Sequence, residues 1–155
     1  MNRRIATGTL LAAALVLTAA ASTAAEKKKS HAHKLFDACA KACADCMREC
    51  ESCAHHCSHM LAAGKKEHMR TLGTCSDCAE FCAMAAKIVA HHGPMAVPAC
   101  EACAKACDVC GTACEKVGPE DDHMKRCAKA CRDCAKACRE MIKHTGHEKD
   151  SGDDK

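Results

Sequence analysis

The chain has 155 residues, a formal net charge of +3, eighteen cysteines and only two aromatic side chains, both phenylalanine. A charge this close to neutral lacks the strongly basic footprint of a nucleic-acid-binding protein, and the length fits one domain. With so few aromatic residues, large apolar side chains are too scarce to fill an ordinary core.

Residues 1–25 are predicted to form an export signal. Arg3 and Arg4 supply its positive start, residues 10–21 are an apolar run, and small residues up to Ala25 offer cleavage sites. We expect cleavage after Ala25 and export to the periplasm by the Sec or the twin-arginine route. The mature chain is then expected to carry no membrane segment.

A polar tether, residues 26–33, is predicted to connect the signal to the first helix. Four helices follow, with approximate bounds at residues 34–62, 67–90, 98–117 and 119–145. Gly64 and Gly93 are expected to end the first two helices, since glycine commonly follows a helix C-terminus. Pro98 and Pro119 are expected to open the last two, because proline suits the first helical turn.

The short connections make consecutive helices antiparallel neighbours. No segment shows the alternation that is typical of a strand. The predicted fold is therefore all-α, an up-down-up-down antiparallel four-helix bundle over residues 34–145. Residues 146–155 are predicted to be a disordered, charged tail.

The cysteines recur at steps of three and four residues, which keeps side chains on one face of a helix. Grouped by predicted helix, they are Cys39, Cys43, Cys46, Cys50, Cys53 and Cys57; Cys75, Cys78 and Cys82; Cys100, Cys103, Cys107, Cys110 and Cys114; and Cys127, Cys131, Cys134 and Cys138. No cysteine lies off these four stripes. We therefore expect all eighteen thiols to line one bundle core, where leucine or isoleucine normally packs.

Several chemistries fit a cysteine-rich chain. A disulfide-stapled structural protein is one alternative, although neighbours on a helix hold their Cβ atoms about 5–6 Å apart and a disulfide needs about 3.5–4.5 Å. Iron–sulfur clusters are disfavoured, because the bacterial ferredoxin run ends in Cys-Pro and no cysteine here precedes a proline. Zinc, or general soft-metal detoxification, stays open as an alternative, although structural zinc usually takes separate closed sites of four ligands.

Copper in the +1 state suits an unbroken stripe of thiols best. Soft thiolates select Cu(I), and each inner cysteine has a neighbour above and below with which to share ions. One Cu(I) per thiolate leaves the core neutral, whereas one Zn(II) per thiolate would bury a large positive charge at high cost. The stripes therefore predict a store of multiple Cu(I) ions, with all eighteen cysteines as ligands.

The four stripes at CxxC and CxxxC spacing resemble the bacterial copper storage proteins over about residues 34–145. This resemblance implies a cysteine-rich four-helix bundle that holds Cu(I) through thiolates and assembles as a homotetramer. For a store of this kind we also expect a copper donor or recipient protein as a partner. No nucleophile–base–orienter set is apparent in the sequence, so we do not expect an enzyme.

The stripes continue into different residues at the two ends of the bundle. At the end of the bundle where the first helix stops, Met60, His68 and Met124 lie on the stripes one or two turns beyond the outermost cysteines. We predict that they bind copper at an entry mouth. At the opposite end an apolar plug is predicted, formed by Phe36, Val89, Val97 and Met141. Four further histidines are expected to be exposed, namely His55, His56, His91 and His92.

Overall fold

The computed structural model describes the backbone of residues 11–146 and the side chains of residues 31–145. Its four α-helices are α1 (Leu11–Ala62), α2 (Met69–Ala90), α3 (Ala96–Val117) and α4 (Asp122–Gly146), with a short 3₁₀ turn, Lys66–His68, before α2. No strand occurs within residues 11–146, so the predicted all-α class is confirmed. The first ten residues of the predicted export signal and the tail beyond Gly146 lie outside the described residues.

Helix α1 begins at Leu11, well before the predicted start near Lys34. Its segment from Leu11 to Ala62 contains no glycine or proline and is rich in alanine, leucine and lysine, which are strong helix formers, so local preference favours continuation of the helix. The chain nevertheless divides into two units between Lys34 and Leu35, and the bundle belongs to the second unit. Within the described part of the chain, no helix is both long enough and apolar enough to span a membrane.

Helices α1 and α2 end with the same backbone motif. Gly64 has a φ of 85°, and the N–H groups of Gly64 and Lys65 donate to Leu61 and Met60. At the end of α2, His92 takes the left-handed position with a φ of 53°. Both ends therefore have the hydrogen bonds of a Schellman motif. At the end of α1 the left-handed residue is the usual glycine, whereas at the end of α2 it is a histidine.

Helix α4 begins after Asp121, not at Pro119 as predicted. The Asp121 carboxylate accepts hydrogen bonds from the backbone N–H groups of His123 at 2.8 Å and Met124 at 3.1 Å. This is N-cap geometry, in which a side chain satisfies the unpaired donors of the first helical turn. The aspartate therefore sets the first residue of α4, and the proline lies in the preceding turn.

The contacts between sulfurs establish the direction of each helix. Near one end of the bundle, Cys39 on α1 lies 3.6 Å from Cys100 on α3 and 3.9 Å from Cys138, late in α4. Near the other end, Cys53 lies 3.9 Å from Cys114, late in α3. It also forms one cluster with Cys75 and Cys127, which lie early in α2 and α4. Helices α1 and α3 therefore run in one direction and α2 and α4 in the other, as the up-down-up-down prediction requires.

One glycine lets helices α3 and α4 approach each other closely, and two surface arginines form ion pairs between them. A Cβ atom at Gly111 would lie 3.3 Å from the Cβ of Cys131, so glycine leaves room for the facing helix. On the outside, the Arg132 guanidinium binds Glu115 at 2.7 and 3.1 Å, and Arg139 binds Asp108. These exposed ion pairs stabilise only modestly, so close packing of the core chiefly holds the pair of helices together.

Candidate metal centre

All eighteen thiols lie in the bundle core. Each is buried, with at most 1% of its surface exposed, and none forms a disulfide. Alanines fill much of the space beside them, because small side chains let four helices approach until their sulfurs meet. The predicted cysteine-lined core is therefore present, and its centre is a column of sulfur atoms.

The sulfurs are close enough to act together but too far apart to be bonded. Neighbouring Sγ atoms from different helices lie 3.6–4.0 Å apart, as in the pairs Cys43–Cys138, Cys82–Cys107 and Cys50–Cys110. A disulfide requires about 2.05 Å between sulfurs. The column is a set of free thiols at the spacing that two sulfur ligands of one metal ion would have.

The column is organised as overlapping clusters of four sulfurs. In each cluster, every Sγ atom lies within 4.8 Å of the others. Five of these sets are Cys43, Cys103, Cys134 and Cys138; Cys46, Cys82, Cys107 and Cys134; Cys46, Cys78, Cys107 and Cys131; Cys50, Cys78, Cys110 and Cys131; and Cys53, Cys75, Cys114 and Cys127. The first four sets share members in sequence, so a sulfur such as Cys134 faces the centres of two clusters. The fifth set is joined to the fourth by the contacts of Cys75 with Cys110 at 3.6 Å and of Cys127 with Cys50 at 3.8 Å. Such sharing favours bridging thiolates over isolated four-ligand sites.

Burial and mutual hydrogen bonding perturb the acidity of these thiols. Hydrogen bonds with Cys110 and Cys114, together with burial, raise the pKa of Cys75 above the ordinary thiol value. Cys103 and Cys107 do the same to the pKa of Cys134. Thiols of this kind keep their protons at neutral pH, whereas hydrogen bonds with Cys107 and Cys110 lower the pKa of Cys78. A metal ion that binds them as thiolates must displace those protons.

At the end of the bundle where α1 stops, a methionine and a histidine meet the column. Met124 is fully buried, and its sulfur accepts a contact from Cys53 Sγ at 3.7 Å. His68 is 95% buried and lies close enough to Cys57 to lower the pKa of that thiol, against the rise caused chiefly by Cys53. Its Nδ1 atom has no hydrogen-bond partner among the described residues. The structure therefore brings two of the three predicted entry residues to the column, whereas Met60 is only half-buried.

One histidine at this end, His56, was not predicted from the sequence to lie against the core. His56 was expected to be exposed, but it is half-buried: its ring stacks on His123 with centroids 4.5 Å apart, and its Nε2 lies 3.0 Å from Asp121 Oδ2. The His68 ring is 6.1 Å away. The cause is the start of α4, where Asp121 at the end of the α3–α4 connection and His123 in the first turn of the helix lie against His56 of α1. We call Met124, His68, His56, His123 and Asp121 together the histidine end; only the position of His56 directly beside Cys57 could have indicated that it borders the core.

The opposite end of the bundle is closed by apolar side chains. Val89 and Met141 are fully buried, and Phe36 is half-buried with its ring stacked on His92 at 4.3 Å. Val97 is also half-buried. These residues, which we call the apolar end, lie where the plug was predicted. Of the other histidines, His55, His91 and His92 are exposed as expected.

Comparison with known proteins agrees with this geometry. The family model described as copper storage protein matches residues 33–143. Apo copper storage protein 3 from Bacillus subtilis is 37% identical, with a TM-score of 0.58, over 68% of this chain and 97% of that chain. The Cu(I)-bound copper storage protein BsCsp3 is 35% identical, with a TM-score of 0.59, over 70% and 98%.

A cytosolic relative extends the comparison. The copper storage protein from Streptomyces lividans loaded with five coppers is 26% identical, with a TM-score of 0.67, over 73% of this chain and 96% of that chain. No curated protein sequence matches this chain. The similarity therefore covers the bundle and spans nearly the whole length of each solved relative.

Proposed function

Because the chain belongs to the copper storage protein family, we propose that it stores Cu(I) with its eighteen core thiolates as ligands. The observation that carries this proposal is the continuous column of four-sulfur clusters, four of which are linked by shared cysteines while the fifth is linked by direct contacts between sulfurs. Thiolates are the ligands that Cu(I) prefers, and shared thiolates allow ions to follow one another along the bundle. We expect roughly one Cu(I) per cysteine, about eighteen ions in all.

Zinc is the second candidate, because the sulfur spacing would also accommodate a tetrahedral ion. A zinc site takes four thiolates for one divalent ion and is normally closed on itself. Eighteen thiols divided in that way would hold four or five zinc ions and leave excess thiolate charge or protons in the core. Sharing of cysteines between clusters therefore favours the monovalent ion, Cu(I). Storage of either ion requires no catalytic group.

The binding experiment separates the two metals. The reduced protein is titrated anaerobically with Cu(I) against a chelator of known affinity, and the same protein is titrated with Zn(II). We expect saturation near eighteen Cu(I) and displacement of any bound zinc by copper. Saturation at four or five ions of either metal would contradict a continuous store and indicate separate tetrahedral sites.

Copper is proposed to enter and leave through the histidine end. The thioether of Met124 contacts Cys53, and His68 lies close enough to Cys57 to lower its pKa, so both extend the sulfur column outward. A thioether carries no proton that copper must displace, which suits transient binding. Met60 is assigned to the same path from its position on α1, although it is less buried than the other two. At the other end Met141 also carries a thioether, but the other residues of the apolar end, Val89, Phe36 and Val97, offer copper no ligand.

The assembly is proposed to be a homotetramer. Phe81 on α2 and Val109 on α3 are 40% and 54% exposed, and both line one groove between these helices, while Met84 is exposed nearby on α2. Exposed apolar side chains grouped on one face are typical of a protein–protein contact. Sedimentation of the purified protein measures the state directly, and a monomer at micromolar concentration would contradict the assignment.

Residues 1–25 are proposed to direct export to the periplasm, by the Sec or the twin-arginine route. Support comes from the positive start, the apolar run and the small residues up to Ala25. After cleavage the mature protein would exchange copper with a donor or recipient protein, not with a membrane or nucleic acid. Mass spectrometry of the protein from the producing cell tests this, since an N-terminus at Glu26 is expected.

A further inference from the structure

A pair of histidines lies on the outer face of α1, away from the sulfur column. His55 and His59 are both exposed and stand one helical turn apart. Their Nε2 atoms are 3.1 Å apart, and the rings meet edge to face with centroids at 4.5 Å. We propose that this pair is a second metal site, which chelates Cu(II) on the exterior of the protein.

The distance between the two nitrogens fits one shared metal ion. Imidazole nitrogen binds first-row divalent metals at about 2.0–2.1 Å. Two such ligands with their nitrogens 3.1 Å apart subtend an angle of roughly 100° at the metal. That angle is close to the right angle between neighbouring ligands of square-planar Cu(II). In the metal-free pair one nitrogen donates its hydrogen to the other, and a bound ion would take that hydrogen's place.

The choice of Cu(II) follows from the ligand type. Imidazole suits divalent copper, nickel and zinc, and copper binds most tightly among the first-row divalent ions. The histidine spacing is fixed by the helix, because residues four apart lie on the same face. Ser58 donates its hydroxyl hydrogen to the His55 carbonyl at 2.7 Å, so that hydrogen is engaged with the helix backbone.

The site is separate from the proposed store in both position and ligand chemistry. The thiols are buried and present only sulfur, whereas His55 and His59 present only nitrogen to solvent. His56 does not belong to the pair, since its ring stacks on His123. The protein would thus hold Cu(I) inside and bind Cu(II) outside, with water completing the coordination of the exterior ion.

Electron paramagnetic resonance distinguishes the two kinds of copper. The protein is first loaded anaerobically with Cu(I), and that loading is measured by itself, so a failure of the store is seen before the exterior site is tested. One equivalent of Cu(II) is then added. Cu(I) has no unpaired electron, so only exterior Cu(II) gives a signal. The expected spectrum is that of one tetragonal Cu(II) coupled to two nitrogens.

Matched variants test the assignment to this pair. His55→Ala with His59→Ala is expected to weaken Cu(II) binding roughly 100-fold, because chelation by two tethered ligands is lost. Each single variant should lose most of that affinity. The control, His91→Ala with His144→Ala, also removes two exposed histidines and should leave binding unchanged. Cu(I) capacity and helicity should stay constant in every variant, since the substituted side chains are exposed.

Two results would overturn the proposal. If the His55→Ala/His59→Ala protein retains the signal with unchanged affinity, Cu(II) binds elsewhere. If the variant and the control lose affinity equally, the binding is a general property of surface histidines, and the spacing of the pair has no special role.

Discussion

The two ends of the bundle close the same sulfur column with different chemistry. At the histidine end, Met124 contacts Cys53 and His68 lies close enough to Cys57 to lower its pKa, so both continue the line of ligands. At the apolar end, the last thiols, Cys39, Cys100 and Cys138, are followed by Val89, Met141 and other apolar side chains. The same helical periodicity therefore gives the two ends different chemistry, which depends on the residues at the final positions of each stripe, and copper entry is proposed at the histidine end only.

The largest expected effect comes from the column that both ends enclose. Thiols such as Cys75 and Cys134 have raised pKa values in the folded protein, so the native state holds protons that the unfolded chain releases above about pH 8.5. Their contribution to stability is complete below that pH and is lost as the pH rises. The free energy of unfolding of the reduced apo protein should fall by about 1.4 kcal/mol per pH unit for each thiol of this kind in excess of those, such as Cys78, whose pKa is lowered.

Urea unfolding between pH 7 and 10 checks this dependence. The Cu(I)-loaded protein serves as the control, because its thiolates have already lost their protons and should show little of the decline. Stability of the apo protein that is constant or rises over this range would contradict protonated thiols in the column.

The second effect concerns the apolar end. Val89→Ala with Met141→Ala removes two fully buried side chains, and the lost burial and the cavity should together cost about 3–6 kcal/mol of unfolding free energy. Met60→Ala at the other end should cost much less, since Met60 is half-buried. Urea unfolding of the reduced apo proteins compares the two variants. An equal loss of unfolding free energy in both would contradict the assignment of the apolar end as the structural base.

A third, smaller effect tests how tightly Met124 is held. A Cβ atom at Gly118 would lie 2.6 Å from Met124 Cγ, so Gly118→Ala should displace this methionine and cost about 1–3 kcal/mol. A Cβ atom at Gly73 on α2 would meet no other atom within 4 Å, and Gly73→Ala should instead stabilise by about 0.5–1 kcal/mol. Thermal unfolding distinguishes the two, and a harmless Gly118→Ala would mean that Met124 has room to move.

The last expected effect is on the rate of copper exchange, not on stability. Replacing Met60, His68 and Met124 together by leucine should slow Cu(I) uptake and removal roughly tenfold, about 1.4 kcal/mol of activation free energy. The capacity should be nearly unchanged, because the inner thiolates hold the store. Stopped-flow uptake measures this. Unchanged rates here, combined with faster exchange in the Val89→Ala/Met141→Ala protein, would reverse the assigned direction of entry.

The helices and the core could be predicted from spacing alone. The cysteine spacing puts all eighteen cysteines on one face of each helix, and in one bundle these four faces can all be buried only if they point to the same core. Every one of the eighteen is buried. Extending each stripe beyond its outermost cysteine also indicated where Met124, His68, Val89 and Met141 would lie. Periodicity is informative because each stripe reports directly on one face of one helix.

Features that depend on competition or on tertiary contacts could not be predicted in the same way. Pro119 and Asp121 are both good starts for α4, and the aspartate prevails because its carboxylate caps two backbone N–H groups. His56 is half-buried because a distant connection packs against it. The left-handed conformation of His92 likewise has no signal in the residue type, since glycine stands next to it in the sequence.

One continuous Cu(I) store is proposed to occupy the sulfur column, and the positions of the copper ions test this most directly. Diffraction from crystals of the fully loaded protein, measured on both sides of the copper absorption edge, locates each copper. We expect a line of anomalous peaks, each within bonding distance of cysteine sulfurs, extending from the Cys39 region to Cys57 and Met124. Four or five isolated peaks, each enclosed by four unshared cysteines, or copper confined to histidines, would contradict a continuous store.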